Sequence, residues 1–216
     1  MSGNQKYTAI ILKKQAFGEA DEIITFFTRE SGKVRGLAKS VKLSKSKLQN
    51  SLQCLFVVNL TLAGRGQLPK VIAAEVTESF FSLRLKLEVL KHAFYANELA
   101  LKFTADGQKN EKLFDLLLGF LKFLETNGRN LELALAKFKT DFLSASGWSA
   151  SYHQGLARQP KHLDLCLSLE NASFNEIGNR KNFGEVAALQ KFLSEFIAYH
   201  LEREVKSEKF LNSSMI

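Results

Sequence analysis

Cysteine is nearly absent from these 216 residues: Cys54 and Cys166 stand 112 positions apart, with no C-x-x-C anywhere. That spacing excludes a disulfide framework and a cysteine-built zinc site, and a reducing compartment is expected. Proline occurs only twice, at Pro69 and Pro160, which argues against a linker-rich or loop-dominated chain. No run approaches the roughly 20 uninterrupted apolar residues of a membrane span. The most apolar stretch, Leu113–Leu124, has 12 residues and contains Asp115 and Lys122. The opening MSGNQKYT lacks the apolar core of a signal peptide, so a soluble, cytoplasmic protein is expected. What is present is ordinary globular material, 45% apolar and 24% charged, enough to bury a core in one or two domains.

Acidic residues are missing from one region in particular. Residues 1–80 hold 12 Lys/Arg against 6 Asp/Glu, a net of +6, while residues 81–216 hold 18 against 16, a net of +2. Between Glu30 and Glu75 lie 44 positions without a carboxylate and with eight cations: Lys33, Arg35, Lys39, Lys42, Lys45, Lys47, Arg65 and Lys70. A polyanionic partner accounts for both the cations and the exclusion of acids. Lysine and arginine gain by releasing counterions from phosphates, whereas a neighbouring carboxylate repels them. A basic face kept for solubility is the alternative.

The first eighty residues read as strands. Tyr7–Gln15 and Glu22–Thr28 are apolar and β-branched, and the turn Arg29-Glu30-Ser31-Gly32 ends the second with a glycine free to take positive φ. Lys33–Lys39 places Lys33, Arg35 and Lys39 on one face and Val34, Gly36 and Ala38 on the other. Leu52–Leu62 has period two through Leu52, Cys54, Phe56, Val58, Leu60 and Leu62. After the Gly64-Arg65-Gly66 turn, Pro69–Thr77 supplies a fifth strand. Five short strands interrupted by one basic loop predict a small closed barrel of the oligonucleotide-binding (OB) kind, although an SH3-like barrel would read almost the same.

Beyond residue 80 the period becomes helical. Helices are expected over Phe81–Phe103, over Asn110–Glu125 as a central buried helix, and over Leu131–Ser146, capped by Asn130 and stopped by Gly147. A long amphipathic helix is expected over Phe183–Phe210. The segment 149–181 is irregular, with a short strand at Leu163–Leu169. The fold class is therefore α+β in two parts, a barrel domain over 1–80 and a helical domain over 81–216.

Catalytic patterns are missing. There is no G-x-S-x-G, H-E-x-x-H or P-loop. The acidic group Glu19, Asp21 and Glu22 is too small, and sits on a turn, for a two-metal nuclease. His200 and Glu204 are one helical turn apart and read as a surface pair. His153, His162 and Cys166, at spacings of 9 and 4, match no zinc template, so no metal is expected. Phe17, Phe26 and Phe27 lie near the strands on which bases would stack.

Phe17–Arg35 (FGEADEIITFFTRESGKVR), followed by Ala38-Lys39, resembles the N-terminal signature of the RecO family of bacterial recombination mediators. The similarity continues through Leu52–Phe56, Gly64–Leu68, Ala74-Glu75, Tyr95–Leu99, Leu113–Leu117, Phe142–Trp148 and Lys206-Ser207. It implies an OB barrel with a helical C-terminal domain and no catalytic residues or cofactor. It also implies binding of single- and double-stranded DNA, annealing of complementary strands, and, with RecR, loading of RecA onto DNA coated by single-stranded-DNA-binding protein. A cytoplasmic, nucleoid-associated location goes with those partners. Two departures stand out: many relatives carry a four-cysteine zinc site where this chain has Cys166 alone, and the glycine after the Ala-Lys step is Ser40, which predicts a different loop backbone.

The expected nucleic-acid contacts are Lys33, Arg35, Lys39, Lys42, Lys45, Lys47 and Arg65. The resemblance further implies capture of the acidic C-terminal tail of the single-stranded-DNA-binding protein. Leu135, Phe138 and Phe142, with Lys137 and Lys139 as a basic rim, are the expected groove, the alternative being that these apolar residues are plain core and the lysines a solvated face. A protein adaptor and an RNA-binding barrel are the alternative functions.

Overall fold

A computed structural model describes residues 3–64, 66–126, 128–157, 160–179, 185–201 and 205–212. The chain forms two compact units. The first takes in residues up to Phe80 together with Asn97–Asp115, and the second Phe81–Ala96 with everything from Leu116 onward.

In the first unit, β1 (Gln5–Phe17), β2 (Asp21–Thr28), β3 (Gly32–Ala38), β4 (Val57–Ala63) and β5 (Lys70–Glu78) close into a barrel of order β1-β2-β3-β5-β4. All neighbours are antiparallel except β3 and β5, whose parallel pairing rests on Leu37 and Lys70. That crossover is the Greek-key closure of an OB-type barrel and decides against an SH3-like one. β1 is long enough to serve two partners, β4 from Gln5 to Ile10 and β2 from Ala9 to Phe17, because its register shifts between Ile11 and Lys13. A bulge of this kind bends a strand around a barrel corner and leaves one residue out of the ladder. The carbonyl of that residue, Leu12, is not orphaned, since it accepts a 2.7 Å hydrogen bond from the buried Asn97 amide.

Alternation then fills the barrel. Ala9, Ile11, Ile24, Phe26, Val58, Leu60, Leu62 and Val71 pack inward. Gly32 sits at φ 68°, as its turn predicts, and a Cβ there would lie 1.9 Å from the Gln108 carbonyl oxygen. Two expectations about the strands change. Leu52–Phe56 is not strand, because Leu55 turns to φ 72° and β4 begins only at Val57, although Leu52 and Leu55 remain fully buried. Phe26 and Phe27 are fully buried, Phe27 against Phe114 at 5.8 Å, so neither ring is available to a base.

The second unit is helical: α1 (Phe81–Arg84), the first part of α2 (Leu87–Phe103), most of α3 (Glu111–Thr126), then α4 (Leu131–Ala145), α5 (Ser149–Leu156), α6 (Pro160–Glu170), α7 (Phe174–Asn179), α8 (Val186–Leu201) and α9 (Lys206–Asn212). Its centre is α4 rather than α3. Every residue from Leu133 to Thr140 is buried, with α5, α6, α7 and α8 packed around that helix, whereas α3 keeps Glu111, Lys112, Asp115 and Lys122 exposed. Asn130 does not cap α4 with its side chain; it turns to φ 51° and donates to the Ile177 and Gly178 carbonyls of α7. Gly147, at φ 86°, does end the helix, where Trp148 N–H returns to the Leu143 carbonyl at 2.8 Å.

Within 149–181 the expected strand at Leu163–Leu169 is part of helix α6. Its alternating leucines also satisfy a helical stripe, in which Cys166 and Leu169 face inward. The single C-terminal helix is two, with buried Val205 between them. Phe183 and Phe210 lie outside the residues whose side chains are described. Among the described residues no helix is long and apolar enough to cross a membrane.

Candidate nucleic-acid interface

Much of the basic stretch is exposed on the first unit. Residues 39–51 form a run of turns between β3 and β4, seated on buried Val41 and half-buried Leu48. Lys39, Lys42, Lys45 and Lys47 are exposed on it, as is Arg35 on β3. The run is braced rather than loose. Ser40 N–H donates to Asp21 Oδ1 at 2.7 Å, Lys42 N–H to the Ala20 carbonyl at 3.0 Å, and Lys42 Nζ reaches the Gly18 and Glu19 carbonyls at 3.5 and 3.4 Å. Asp21 and Glu22 are thereby structural, Glu22 pairing with Lys14 at 3.5 Å. Ser40 takes φ 52°, a left-handed conformation that a glycine adopts more readily.

Lys33 behaves differently. Its side chain is only 15% exposed, and its ammonium donates to the Leu101 and Thr104 carbonyls at 3.0 and 2.6 Å, at the C-terminal end of α2. A cation is favoured at that negative end of a helix dipole. It also faces Asp106 at 3.5 Å, and Arg35 faces the same carboxylate at 3.8 Å. Asp106 is held there by a backbone bridge to Lys33 and by the Gly107 N–H donating to the Lys33 carbonyl at 2.9 Å.

These groups line a cleft of about 380 Å³ in the barrel surface. Tyr7, Val34, Leu62 and Pro69 provide its apolar part, with Arg35 and Asp106 among its polar groups. Burial, and then the nearby Glu30 carboxylate, raise the Tyr7 phenol above its ordinary pKa, so the ring is a neutral, half-buried surface. A neutral aromatic wall beside exposed cations suits an unstacked base and its phosphates. Arg65, in the loop that joins β4 to β5, lies outside the described residues. Phe17, at the end of β1, is 49% exposed and is the one of the three expected phenylalanines still on the surface.

The expected tail groove is not a groove. Leu135, Lys137, Phe138, Lys139 and Phe142 are all buried, each 4% exposed or less, because they lie on the central helix of the second unit. Lys137 Nζ bonds Asp141 Oδ2 at 2.7 Å and the Leu169 carbonyl at 2.9 Å, 5.4 Å from the centre of the Phe174 ring. Lys139 Nζ bonds Gln190 Oε1 and Ser194 Oγ, each at 2.7 Å, and lies over the Tyr95 ring. Desolvation lowers Lys139 to a pKa of about 8, against the pull of Glu208 and Glu132.

Of the residues singled out for catalysis or metal, His200 stacks on Phe196 at 4.1 Å and meets Trp148 edge-on at 4.3 Å, while Glu204 lies outside the described residues. A four-cysteine centre does not fit a helical half whose sole cysteine is Cys166.

An OB-type barrel bearing an acid-poor, cation-rich surface, joined to a helical unit, defines the class of two-part OB-barrel proteins. Residues 1–80 match the family description "Recombination protein O N terminal", and residues 84–162 match "Recombination protein O C terminal". The chain belongs to the RecO family. Proteins named "DNA repair protein RecO" are similar to it. The one from Dehalococcoides mccartyi is 37% identical over 143 residues, covering 66% of this chain and 56% of the relative. Those from Pelotomaculum thermopropionicum and Syntrophobacter fumaroxidans are each 27% identical, over 96% and 95% of this chain and 93% and 96% of theirs. The chain thus spans just over half the length of the Dehalococcoides relative and nearly all of the other two.

Proposed function

We propose that this chain is a non-catalytic DNA-binding mediator of DNA repair that holds single strands on its barrel and promotes the pairing of complementary ones. The observation that carries this reading is the exposed set Arg35, Lys39, Lys42, Lys45 and Lys47 around an OB-type barrel, in a stretch free of acids. Repulsion between two phosphate backbones is the main barrier to annealing, and the base pairs supply the driving force. Cations placed on a braced loop neutralise both strands without ordering a flexible segment on binding. Membership of the RecO family supports DNA as the polyanion, and supports RecR and the single-stranded-DNA-binding protein as partners in loading RecA. The tail of the latter would dock elsewhere than on α4, whose five candidate residues are interior.

Annealing of complementary oligonucleotides, with and without the protein, tests the reading. Acceleration is expected, with log K for single strands falling against log salt at a slope of roughly −3 to −4 for about five phosphate contacts. A slope near zero would place the barrel among protein adaptors, and preference for structured RNA in competition would make RNA the ligand.

A further inference from the structure

Three side chains outside the proposed DNA surface converge in the second unit. His153 comes from α5, and Cys166 and Glu170, four residues apart, share one face of α6. One ligand-type atom from each, a ring nitrogen, the Sγ and a carboxylate oxygen, lies within 4.8 Å of the others. His153 Nε2 and Glu170 Oε1 are already 3.1 Å apart. Zinc bonds of about 2.0–2.3 Å in a tetrahedron put neighbouring ligand atoms roughly 3.3–3.6 Å apart. A small inward movement of Cys166 therefore completes a three-ligand face with one position left for water.

We propose that His153, Cys166 and Glu170 bind one zinc-class divalent cation that ties α5 to α6, in place of the metal-free segment expected from the sequence. A soft thiolate, a borderline imidazole and one carboxylate favour zinc over calcium or magnesium, which demand oxygen ligands.

Binding forms metal–sulfur, metal–nitrogen and metal–oxygen bonds and breaks one S–H bond, whose proton goes to solvent. The imidazole presents its Nε2 lone pair with the proton on Nδ1, and no electron is transferred. The ligand pairing was hidden in the sequence because the third partner is Glu170, whereas His162, also four residues from Cys166, is not part of the cluster.

The test uses the full chain, stripped with a chelator and then titrated with cobalt(II). Expected are one ion per chain, a near-ultraviolet thiolate-to-cobalt band that one equivalent of zinc(II) abolishes, release of one proton, and a higher melting temperature with zinc. Cys166→Ser should lose the band and Cys54→Ser keep it, while His153→Ala and Glu170→Gln, both at partly exposed positions, should each weaken cobalt binding about tenfold or more. Absence of the band in the folded wild type overturns the proposal, as does its survival in a folded Cys166→Ser protein. If Cys166→Ser does not fold, wild-type affinity in both His153→Ala and Glu170→Gln is equally decisive against it.

Discussion

Two sets of lysines in this chain have the same chemistry and opposite surroundings. Those of the β3–β4 run, Lys39, Lys42, Lys45 and Lys47, sit in water on a braced backbone, while Lys137 and Lys139 are sealed inside a helical core. An exposed ammonium contributes little to folding but remains available to a phosphate. A buried one must find acceptors inside, and once it has them it belongs to the architecture. Charge count alone therefore does not locate a binding surface; burial decides which cations are left to bind. Lys137→Ala sharpens this most. It leaves the Asp141 carboxylate and the Leu169 carbonyl without their ammonium and should cost about 3 kcal/mol of stability. Denaturant melts would show that loss, with single-strand affinity of the folded fraction unchanged. A melt shifted by less than about 0.5 kcal/mol would break the comparison.

The converse variant, Lys39→Ala/Lys45→Ala/Lys47→Ala, should spare the fold and reduce the salt slope on single strands by about 2, at roughly 0.7 per contact. At low salt that is a loss of affinity on the order of a hundredfold, measurable by fluorescence anisotropy. An unaltered slope would move the interface off this loop.

Lys139 offers a smaller effect with a defined sign. Its folded pKa of about 8 lies below the roughly 10.4 of an unfolded lysine. Between those values the unfolded chain binds more protons, so stability rises with pH through that window and is flat in this term below it. The rise should be on the order of 2–3 kcal/mol, and Lys139→Met should remove it. Parallel stability curves for the two proteins between pH 8 and 10 would contradict the assignment.

Much of the barrel was legible because one buried face imposes period two on a strand. β2 and β3 fall within a residue or two of their apolar alternation, and Gly32 announces its own turn. Leu52–Phe56 alternates equally well yet is not strand, since a single left-handed residue, Leu55, redirects the chain and buries its own side chain, while Cys54 and Phe56 stay half-buried. In the helical unit the signal was weaker for a physical reason. LELALAKFKTDFLSA contains two lysines and an aspartate and reads as half-solvated, but helices on several sides of α4 bury those lysines against partners 32 to 55 positions away. No local pattern encodes such acceptors. The same holds for His153 and Glu170, which meet only because α5 and α6 pack together.

Asp106 marks a boundary between the two kinds of lysine. It is the carboxylate facing Lys33 and Arg35 in the barrel cleft, at 3.5 and 3.8 Å, and its own side chain is 59% exposed. On the proposed DNA-binding reading, a carboxylate so placed takes the position of a phosphate between those cations and would repel an incoming strand. Asp106→Asn removes the charge and keeps the backbone bridge to Lys33, which side-chain chemistry does not enter. Lys33 stays bound to the Leu101 and Thr104 carbonyls, so the cation released is mainly Arg35. Single-strand affinity at low salt should therefore rise by about three- to fivefold, with the slope steeper by up to about 0.7 for one added phosphate contact. Stability should hardly change, since the ion pairs are partly solvated. Near 1 M salt, where the Debye length falls to about 3 Å, the two proteins should bind alike. If Asp106→Asn binds no better than wild type at low salt, the strand does not pass over Arg35, and the surface narrows to Lys39–Lys47.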